Sequence, residues 1–362
     1  NKVMRKLATI RTISELRPIE NADSLELAII DGWQCVVNKK ENFKVGDKVI
    51  YIEIDSICPE RPEFEFLRSR KFKVKTIKLR GQISQGLVLP LSYLKKKNVN
   101  VGDDVTEELG IRKFDPQGDR ELKVVRTSSK NKLVRFLYRY RWFRDLHAKF
   151  VKPARTDFPN GVKKTDEERV QNLYEKYSEW VLKGYKFIVT EKVDGQSATY
   201  LLDKKNKYYV ASRNYTLKRD MTTTYWRCSE KYNIEALLES MKKYLNCKHI
   251  VLQGEILAPK VQQNKYHKTE PELYVFNIIA DGRKLDYFEQ LKTLKECNAT
   301  CDIVPLVYEG LILPPDISTL VDISKNKSVV ADIQREGLVL RNYEHNISFK
   351  VINPNFLLKY DE

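Results

Sequence analysis

The stretch Lys192-Val193-Asp194-Gly195 contains residue types that could carry out nucleophilic chemistry. The preceding residues 185–190 are aromatic and β-branched, and they predict a buried strand that ends at the lysine. Side chains two apart in an extended chain share a face, so Lys192 and Asp194 are predicted to point into one space. A lysine at the end of an apolar strand, beside a carboxylate, is a candidate covalent nucleophile. A surface Lys–Asp pair before an ordinary glycine turn explains these four residues at least as well.

Four further charged residues stand at the ends of predicted apolar strands: Arg213, Glu255, Glu336 and Lys350. Taken singly, each is compatible with a strand-end salt bridge. An ordered series of such residues on a basic chain is hard to explain as a solvated face.

The elements that must position these residues are predicted as mixed α and β over residues 185–360. Strands are predicted near residues 197–202, 208–214, 249–256, 273–279, 335–341 and 347–351, and helices over 234–244 and 287–297. Upstream, residues 4–90 predict five or six short strands without a long helix, which is typical of an OB-type barrel. Basic and apolar residues alternate along a predicted strand of this barrel, with a cationic face formed by Lys73, Lys75, Lys78 and Arg80. This face could contact phosphates, or it could simply be the solvated outer face of the strand.

Residues 106–155 predict a basic, aromatic linker region between the two parts. Arg135, Arg139 and Arg141 alternate with tyrosine and tryptophan in a stretch that is predicted to be helical. This composition suits contacts with a nucleic-acid backbone and its bases, and it equally suits packing between the domains.

Composition limits the class of protein. With 362 residues, 42% hydrophobic and 31% charged, the chain is predicted to be globular, with two or three domains. No apolar run approaches the ~20 residues of a membrane-spanning helix, and no signal peptide is visible, which favours an intracellular protein of the cytoplasm or nucleus. The six cysteines form no CxxC and no zinc set, so reduced thiols are expected. A net charge of +16 favours a polyanionic partner, nucleic acid before an anionic membrane.

In chain order, the charged strand ends resemble the motifs of the covalent nucleotidyltransferase superfamily, which includes polynucleotide ligases and mRNA capping enzymes. Lys192-Val193-Asp194-Gly195 is similar to the nucleophile motif, and the later motifs are similar to Ser212-Arg213, Gly254-Glu255, residues 274–278, residues 336–341 and residues 348–351. An N-terminal OB-like module, and a chain that ends soon after the last motif, resemble the fifth RNA ligase family. The resemblance implies an α+β fold. It consists of an OB-type barrel at 1–105 and a nucleotidyltransferase domain at 156–362, ATP-grasp-like and of the ligase and capping-enzyme type, built on antiparallel sheets with flanking helices.

The resemblance also implies roles for individual residues. Lys192 would attack the α-phosphate of ATP, and the catalytic set would be completed by Arg169, Arg213 and Lys350. Glu191 would accept a hydrogen bond from the adenine amine, and Phe276 would stack on adenine opposite Leu338. The ATP site would further include Arg213, Glu255 and Lys350. Core packing is the alternative for Phe276.

A metal site is implied by the same resemblance. Asp194, Glu255 and Glu336 would bind Mg²⁺ or Mn²⁺, largely through waters. The metal and Lys350 would lower the lysine pKa from its usual ~10.4. The last motif departs from many RNA ligases, because Ile352 stands where they have a second lysine, and Lys359 is the substitute candidate.

The resemblance thus predicts a monomeric, ATP-dependent RNA ligase. It would join RNA ends that carry a 3′-hydroxyl and a 5′-phosphate, through lysyl-AMP and an adenylylated RNA end. Alternatives within the superfamily are a DNA ligase and a GTP-dependent capping guanylyltransferase. The alternative from another class is a non-catalytic OB-fold protein that binds RNA, for which a strand-end lysine among three carboxylates would have no use.

Overall fold

The computed structural model describes residues 5–115, 132–137, 140, 142–143 and 155–360. These residues form an N-terminal part and a C-terminal part that contact each other. No helix in the described ranges is long and apolar enough to cross a membrane.

The N-terminal part consists of short antiparallel strands. Alternate residues of the central strand Lys48–Ile52 enter two different apolar clusters, Ile50 and Ile52 one and Val49 and Tyr51 the other. The remaining strands are Ala8–Thr12, Glu15–Pro18, Leu25–Ile30, Trp33–Asn38, Ser56–Ile57, Lys73–Val74, Ile77–Leu79, Gln82–Ser84, Leu87–Leu89 and Arg112–Lys113. Short 3-10 helices cover Lys39–Glu41, Pro62–Arg70 and Leu91–Tyr93.

This part extends past the predicted boundary at residue 105. Leu109 and Ile111 are buried in its core, and strand Arg112–Lys113 pairs with Ser56–Ile57. Because these side chains belong to the core of the N-terminal part, the turn near residue 102 lies within this domain and does not mark its end. Most of the predicted linker, including Arg139, Arg141 and the side chain of Arg135, lies outside the described residues; a short helix covers Lys132–Leu137.

The predicted single cationic strand face is not formed. Lys73 and Lys78 belong to two separate strands, and Arg80 lies in a turn with a φ of 48°. Lys73 is only 6% exposed, and its ammonium lies 4.1 Å from the centre of the Phe114 ring. Packing against Phe114 therefore removes this lysine from the exposed surface.

The C-terminal part contains two sheets with flanking helices. Within residues 155–360, an eight-stranded sheet comprises Arg155–Asp157, Tyr215–Leu217, Tyr208–Ala211, Gln196–Leu202, Ile250–Leu257, Glu272–Ala280, Arg283–Lys284 and Asp302–Ile303, of which only the last pairs in parallel. A four-stranded antiparallel sheet has the order Leu306–Ile312, Lys186–Lys192, Gly337–Asn342, Ile347–Ile352. The helices are Tyr174–Leu182, Thr224–Lys231, Ile234–Leu245, Tyr287–Glu296, Ile317–Ser324 and Pro354–Tyr360, with 3-10 helices at Val170–Leu173 and Gln262–Asn264. Each sheet buries one apolar face under helices, as the predicted α+β architecture requires.

The two parts meet along an interdomain seam, formed by Gly32, Trp33 and Asp55 on one side and residues 169–172 on the other. The indole N–H of Trp33 donates to Asn172 Oδ1 at 2.9 Å, and Arg169 Nη2 donates to Asp55 Oδ2 at 2.7 Å. Gly32 packs so closely on Gln171 that a Cβ would lie 2.8 Å from the Gln171 Cα.

Candidate active site

Strand register brings Lys192 beside Glu336. Lys192 ends the strand Lys186–Lys192 and is paired with Gly337, so the preceding residue, Glu336, lies next to the lysine. Lys192 Nζ donates to both carboxylate oxygens of Glu336 at 2.9 Å. Residue 337 must be glycine, because a Cβ there would lie 2.2 Å from the carbonyl oxygen of Val351.

The turn after Lys192 connects the two sheets. Gly195 N–H donates to Glu255 Oε1 at 3.0 Å, and a Cβ on Gly195 would lie 2.2 Å from the Ile256 carbonyl oxygen. Gly195 is therefore needed for close approach to the neighbouring strand. Asp194 is held by Lys265, whose Nζ donates to Oδ2 at 2.5 Å.

One cavity of about 240 Å³ lies between the sheets at this point. It is lined by eight of the residues singled out from the sequence: Glu191, Lys192, Asp194, Arg213, Glu255, Phe276, Glu336 and Lys350. Arg169 lines an adjoining groove between the two domains, where its backbone forms a bridge with Lys350. The structure thus brings these side chains together from strands far apart in sequence.

The electrostatics of the cavity reflect burial and crowding of like charges. Burial lowers the pKa of Lys192, but the carboxylates of Glu336, Glu255 and Asp194 outweigh it, so the pKa is raised. Burial raises the pKa of Glu255 to about 8 against the effect of Lys192, with Glu336 and Asp194 adding to the rise. Burial, with help from Arg169 and Lys192, lowers the pKa of Lys350 to about 7.

Glu191 is one of the residues that line the cavity, and one of its carboxyl oxygens is an unused hydrogen-bond acceptor. Its side chain is buried, and Oε2 accepts from the backbone N–H of Val329 at 2.8 Å. Oε1 is buried, and no residue in the described part of the chain donates a hydrogen bond to it. Burial raises the pKa of this carboxyl. An unpaired buried acceptor of this kind is costly, and it is expected where a ligand supplies the donor.

Leu338 does not line this cavity, contrary to its predicted position opposite Phe276. It is fully buried in the core with Phe187, Phe349 and Val351, on the other face of its sheet. The next residue, Val339, lines the cavity instead, because neighbouring residues of a strand point to opposite faces.

Comparison with known proteins identifies both parts of the chain. Residues 7–91 match a family model of an OB-fold domain, and residues 185–360 match the RNA ligase family. An apo mutant of the Naegleria gruberi RNA ligase is 32% identical, with a TM-score of 0.79 over 99% of this chain and 98% of that chain. Another mutant of that ligase, with AMP and Mn, is 31% identical, with a TM-score of 0.80 over 99% of each chain. A third, with ATP and Mn, is 31% identical, with a TM-score of 0.78 over 98% of this chain and 99% of that chain. No curated protein matches the chain.

This chain belongs to the RNA ligase family. The predicted OB-type domain, the α+β fold and the resemblance to RNA ligases are confirmed by these matches.

The donor set of this RNA ligase fits a divalent cation that binds through waters. No three His, Cys, Asp or Glu side chains among the described residues form a direct metal-ligating group. Asp194, Glu255 and Glu336 nevertheless line one cavity, and they offer the oxygen ligands that Mg²⁺ and Mn²⁺ prefer. Their mutual repulsion helps to raise the pKa of Glu255 and of Asp194, and a cation would relieve it.

Several residues of the ligase site have no signal in the sequence that marks them. Val339 and Arg341 lie in a predicted strand, but their residue types and spacing indicate no role for either. Lys265 and Tyr266 lie in a loop without strand alternation, and only the fold places them against Asp194. Arg341 donates to the Phe276 carbonyl oxygen at 2.6 Å and so fixes the backbone that carries the predicted adenine-stacking ring.

Proposed function

We propose that this RNA ligase uses ATP and acts in three steps through Lys192. The deprotonated Nζ attacks the α-phosphorus, the bond to the bridging oxygen breaks, and pyrophosphate leaves, giving lysyl-AMP. An oxygen of the 5′-phosphate of an RNA end then attacks the phosphorus of lysyl-AMP, the P–N bond breaks, and Lys192 leaves as the free amine, giving adenylylated RNA. Finally, the 3′-hydroxyl of the other end attacks the activated phosphate, AMP leaves, and the strand is sealed.

The observation that carries this proposal is the position of Lys192 in the cavity. Its ammonium lies 2.9 Å from both oxygens of Glu336, and Asp194, Glu255 and Lys350 line the same space. Asp194, Glu255 and Glu336 would hold a divalent cation, which would supply positive charge to lower the pKa of the lysine and to stabilise charge on the α-phosphate. Lys350 lines the same cavity, and burial, together with Arg169 and Lys192, lowers its own pKa to about 7. The solved Naegleria gruberi ligase mutants with AMP or ATP and Mn support this choice of nucleotide and metal.

We assign the base of the nucleotide to the part of the cavity beside Glu191, Phe276 and Val339, and this assignment favours ATP over GTP. The unpartnered Oε1 of Glu191 can accept a hydrogen bond from the adenine amine. Guanine presents a carbonyl oxygen at that ring position, which would face the carboxyl without a hydrogen bond. We assign Phe276 and Val339 as the two sides of the base site, because both line the cavity.

The phosphate end is assigned to the cationic residues. Arg213 lines the cavity, where its guanidinium is now paired with Asp166 at 2.8 Å, and Arg169 lies in the adjoining groove. These two arginines are proposed to bind phosphates of ATP or of the RNA end. The protein is further proposed to act as a monomer on RNA with 3′-hydroxyl and 5′-phosphate ends.

The test is covalent labelling with ATP or GTP that is radioactive at the α-phosphate, plus Mn²⁺, followed by a denaturing gel. Wild-type protein should become labelled from ATP and not from GTP, and Lys192→Met should lose all labelling. Lys186→Met is the matched control, because it lies at the exposed start of the same strand. Label from GTP alone would indicate a capping enzyme, and the absence of any label would favour a non-catalytic RNA-binding protein.

A further inference from the structure

The loop at residues 260–268 holds Asp194 at two points. Lys265 Nζ donates to the carboxylate at 2.5 Å, and the backbone N–H of Asp194 donates to the Tyr266 hydroxyl at 2.9 Å. The Lys265 side chain is only 8% exposed. Two consecutive loop residues therefore fix both the side chain and the backbone of Asp194.

Lys265 also contacts the C-terminal helix Pro354–Tyr360. Its ammonium lies 5.1 Å from the ring centre of Phe356 and 5.1 Å from that of Tyr360. A cation over two aromatic faces, shielded from water, is attracted by both rings. The lysine thus joins Asp194 to two side chains of this helix.

The same helix reaches the N-terminal domain. Leu357 packs against the apolar cluster that contains Trp33 and Tyr51. Phe356, Leu357 and Tyr360 also line the groove between the domains, together with Lys265. A continuous set of contacts therefore runs from the N-terminal domain, through the C-terminal helix and Lys265, to Asp194.

The backbone of the loop is unusual in a way that suits this arrangement. Five non-glycine residues lie in the left-handed region: Lys260, Gln262, Gln263, Asn264 and His267, with φ of 66°, 46°, 59°, 50° and 53°. Such conformations persist only where surrounding contacts determine them, and they concentrate at functional sites. The Asn264 side chain closes the loop by hydrogen bonds with the backbone N–H and C=O of Lys268, at 2.8 and 3.0 Å.

We propose that Lys265 is a positioning residue for the ligase reaction, which fixes the Asp194 carboxylate and ties it to the C-terminal helix. The proposal rests on the proposed function of the Asp194 site. Lys265 touches no reacting atom in this scheme. It keeps the carboxylate turned into the cavity and makes that orientation depend on the docking of the helix.

The first test compares Lys265→Met, Lys265→Arg and the matched control Lys268→Met. Lys268 lies in the same loop and pairs with Glu272 at 2.6 Å, away from Asp194. The rate constant of lysyl-AMP formation at saturating ATP and Mn²⁺ should fall about tenfold or more in Lys265→Met, as expected for loss of a charge-assisted hydrogen bond. The final amount of lysyl-AMP per folded protein should not change. Lys265→Arg should recover much of the rate, and Lys268→Met should react like wild type.

A purely structural role for Lys265 would lower the final amount of lysyl-AMP and the melting temperature without a slower rate constant in the folded fraction. That result, or equal slowing in Lys265→Met and Lys268→Met, would overturn the proposal.

The second test needs no nucleotide and so separates this proposal from the proposed function. Amide hydrogen exchange of residues 355–360 should be faster in Lys265→Met and in Asp194→Asn than in wild type or Lys268→Met. Unchanged exchange in both variants would show that the helix is not tied to Asp194. If wild-type protein forms no lysyl-AMP, the proposed function fails, while this measurement still decides whether Lys265 couples the helix to the carboxylate.

Discussion

Replacing Gly32 with alanine should separate the two domains at the seam and slow the reaction with ATP. Gly32 does not have a positive φ, so alanine can adopt the backbone conformation at position 32. The destabilising effect of the substitution is therefore the steric clash of the new Cβ with its neighbours. The new Cβ would lie 2.7 Å from Ile317 Cδ1 and 2.8 Å from the Gln171 Cα. The isoleucine side chain can move, but the backbone atom of Gln171 cannot move without its segment.

The required shift follows from these distances. Ordinary contacts begin at 3.4 Å, so the seam must open by 3.4 − 2.8, or about 0.6 Å. The Trp33–Asn172 hydrogen bond of 2.9 Å would lengthen towards 3.5 Å, beyond a normal hydrogen bond. Overpacking of this kind costs about 1–3 kcal/mol.

The displaced segment is connected to the active site. Arg169 lies two residues before Gln171, and its backbone is bridged to Lys350. If about 1–2 kcal/mol of this cost is added to the activation free energy of lysyl-AMP formation, that step should slow about 5- to 30-fold. Sealing of RNA that is already adenylylated should be affected less, because that step requires no attack by Lys192.

Rapid-quench assays of each step would measure this effect. Gly102→Ala is the control, because it lies in the same domain, has a φ of 92° and has no atom within 4 Å of a new Cβ, so it adds backbone strain away from the seam. Equal rates for wild type and Gly32→Ala in the ATP reaction, or equal slowing in both steps, would refute the reasoning.

Three further predictions follow from the site. Val339→Ala should raise the KM for ATP with little loss of stability. Leu338→Ala should instead lower the free energy of unfolding by about 2–5 kcal/mol, because of these two residues only Leu338 is fully buried in the core. A raised KM in Leu338→Ala, with a loss of stability in Val339→Ala, would return Leu338 to the base site. Glu336→Ala should cut lysine adenylylation and alter its Mn²⁺ dependence, and an unchanged metal titration at normal activity would remove Glu336 from the metal set. Sealing should be slower when the nucleotides at the 3′-hydroxyl end contain deoxyribose instead of ribose, and equal rates for both would favour the DNA ligase alternative. RNA binding should also weaken steeply with added salt, because the chain has a net charge of +16.

The sequence alone determined the domain types and the order of the charged strand ends. Both depend on local patterns, since strands follow from apolar and β-branched runs and each polar residue at a strand end interrupts such a run. Their grouping at one site did not follow from these local patterns; it was implied by the resemblance of Lys192, Glu255, Glu336 and Lys350 to the nucleotidyltransferase motifs, and the structure places all four around one cavity. The sequence predicts an N-terminal domain that ends at residue 105, and it does not indicate that strand Arg112–Lys113 pairs with Ser56–Ile57, because this pairing joins residues about 55 apart in sequence.

Tertiary structure decided which side chains meet. Strand Gly337–Asn342 is apolar on both faces around Leu338, Val339 and Leu340, so alternation could not show which residue faces the cavity. Lys192 meets Glu336 because of the register between two strands, which no local pattern specifies. Lys265 reaches Asp194 from a loop with left-handed residues, where neither helical nor strand periodicity applies. Contacts of this kind depend on how distant segments pack, so the local sequence pattern around each residue does not predict them.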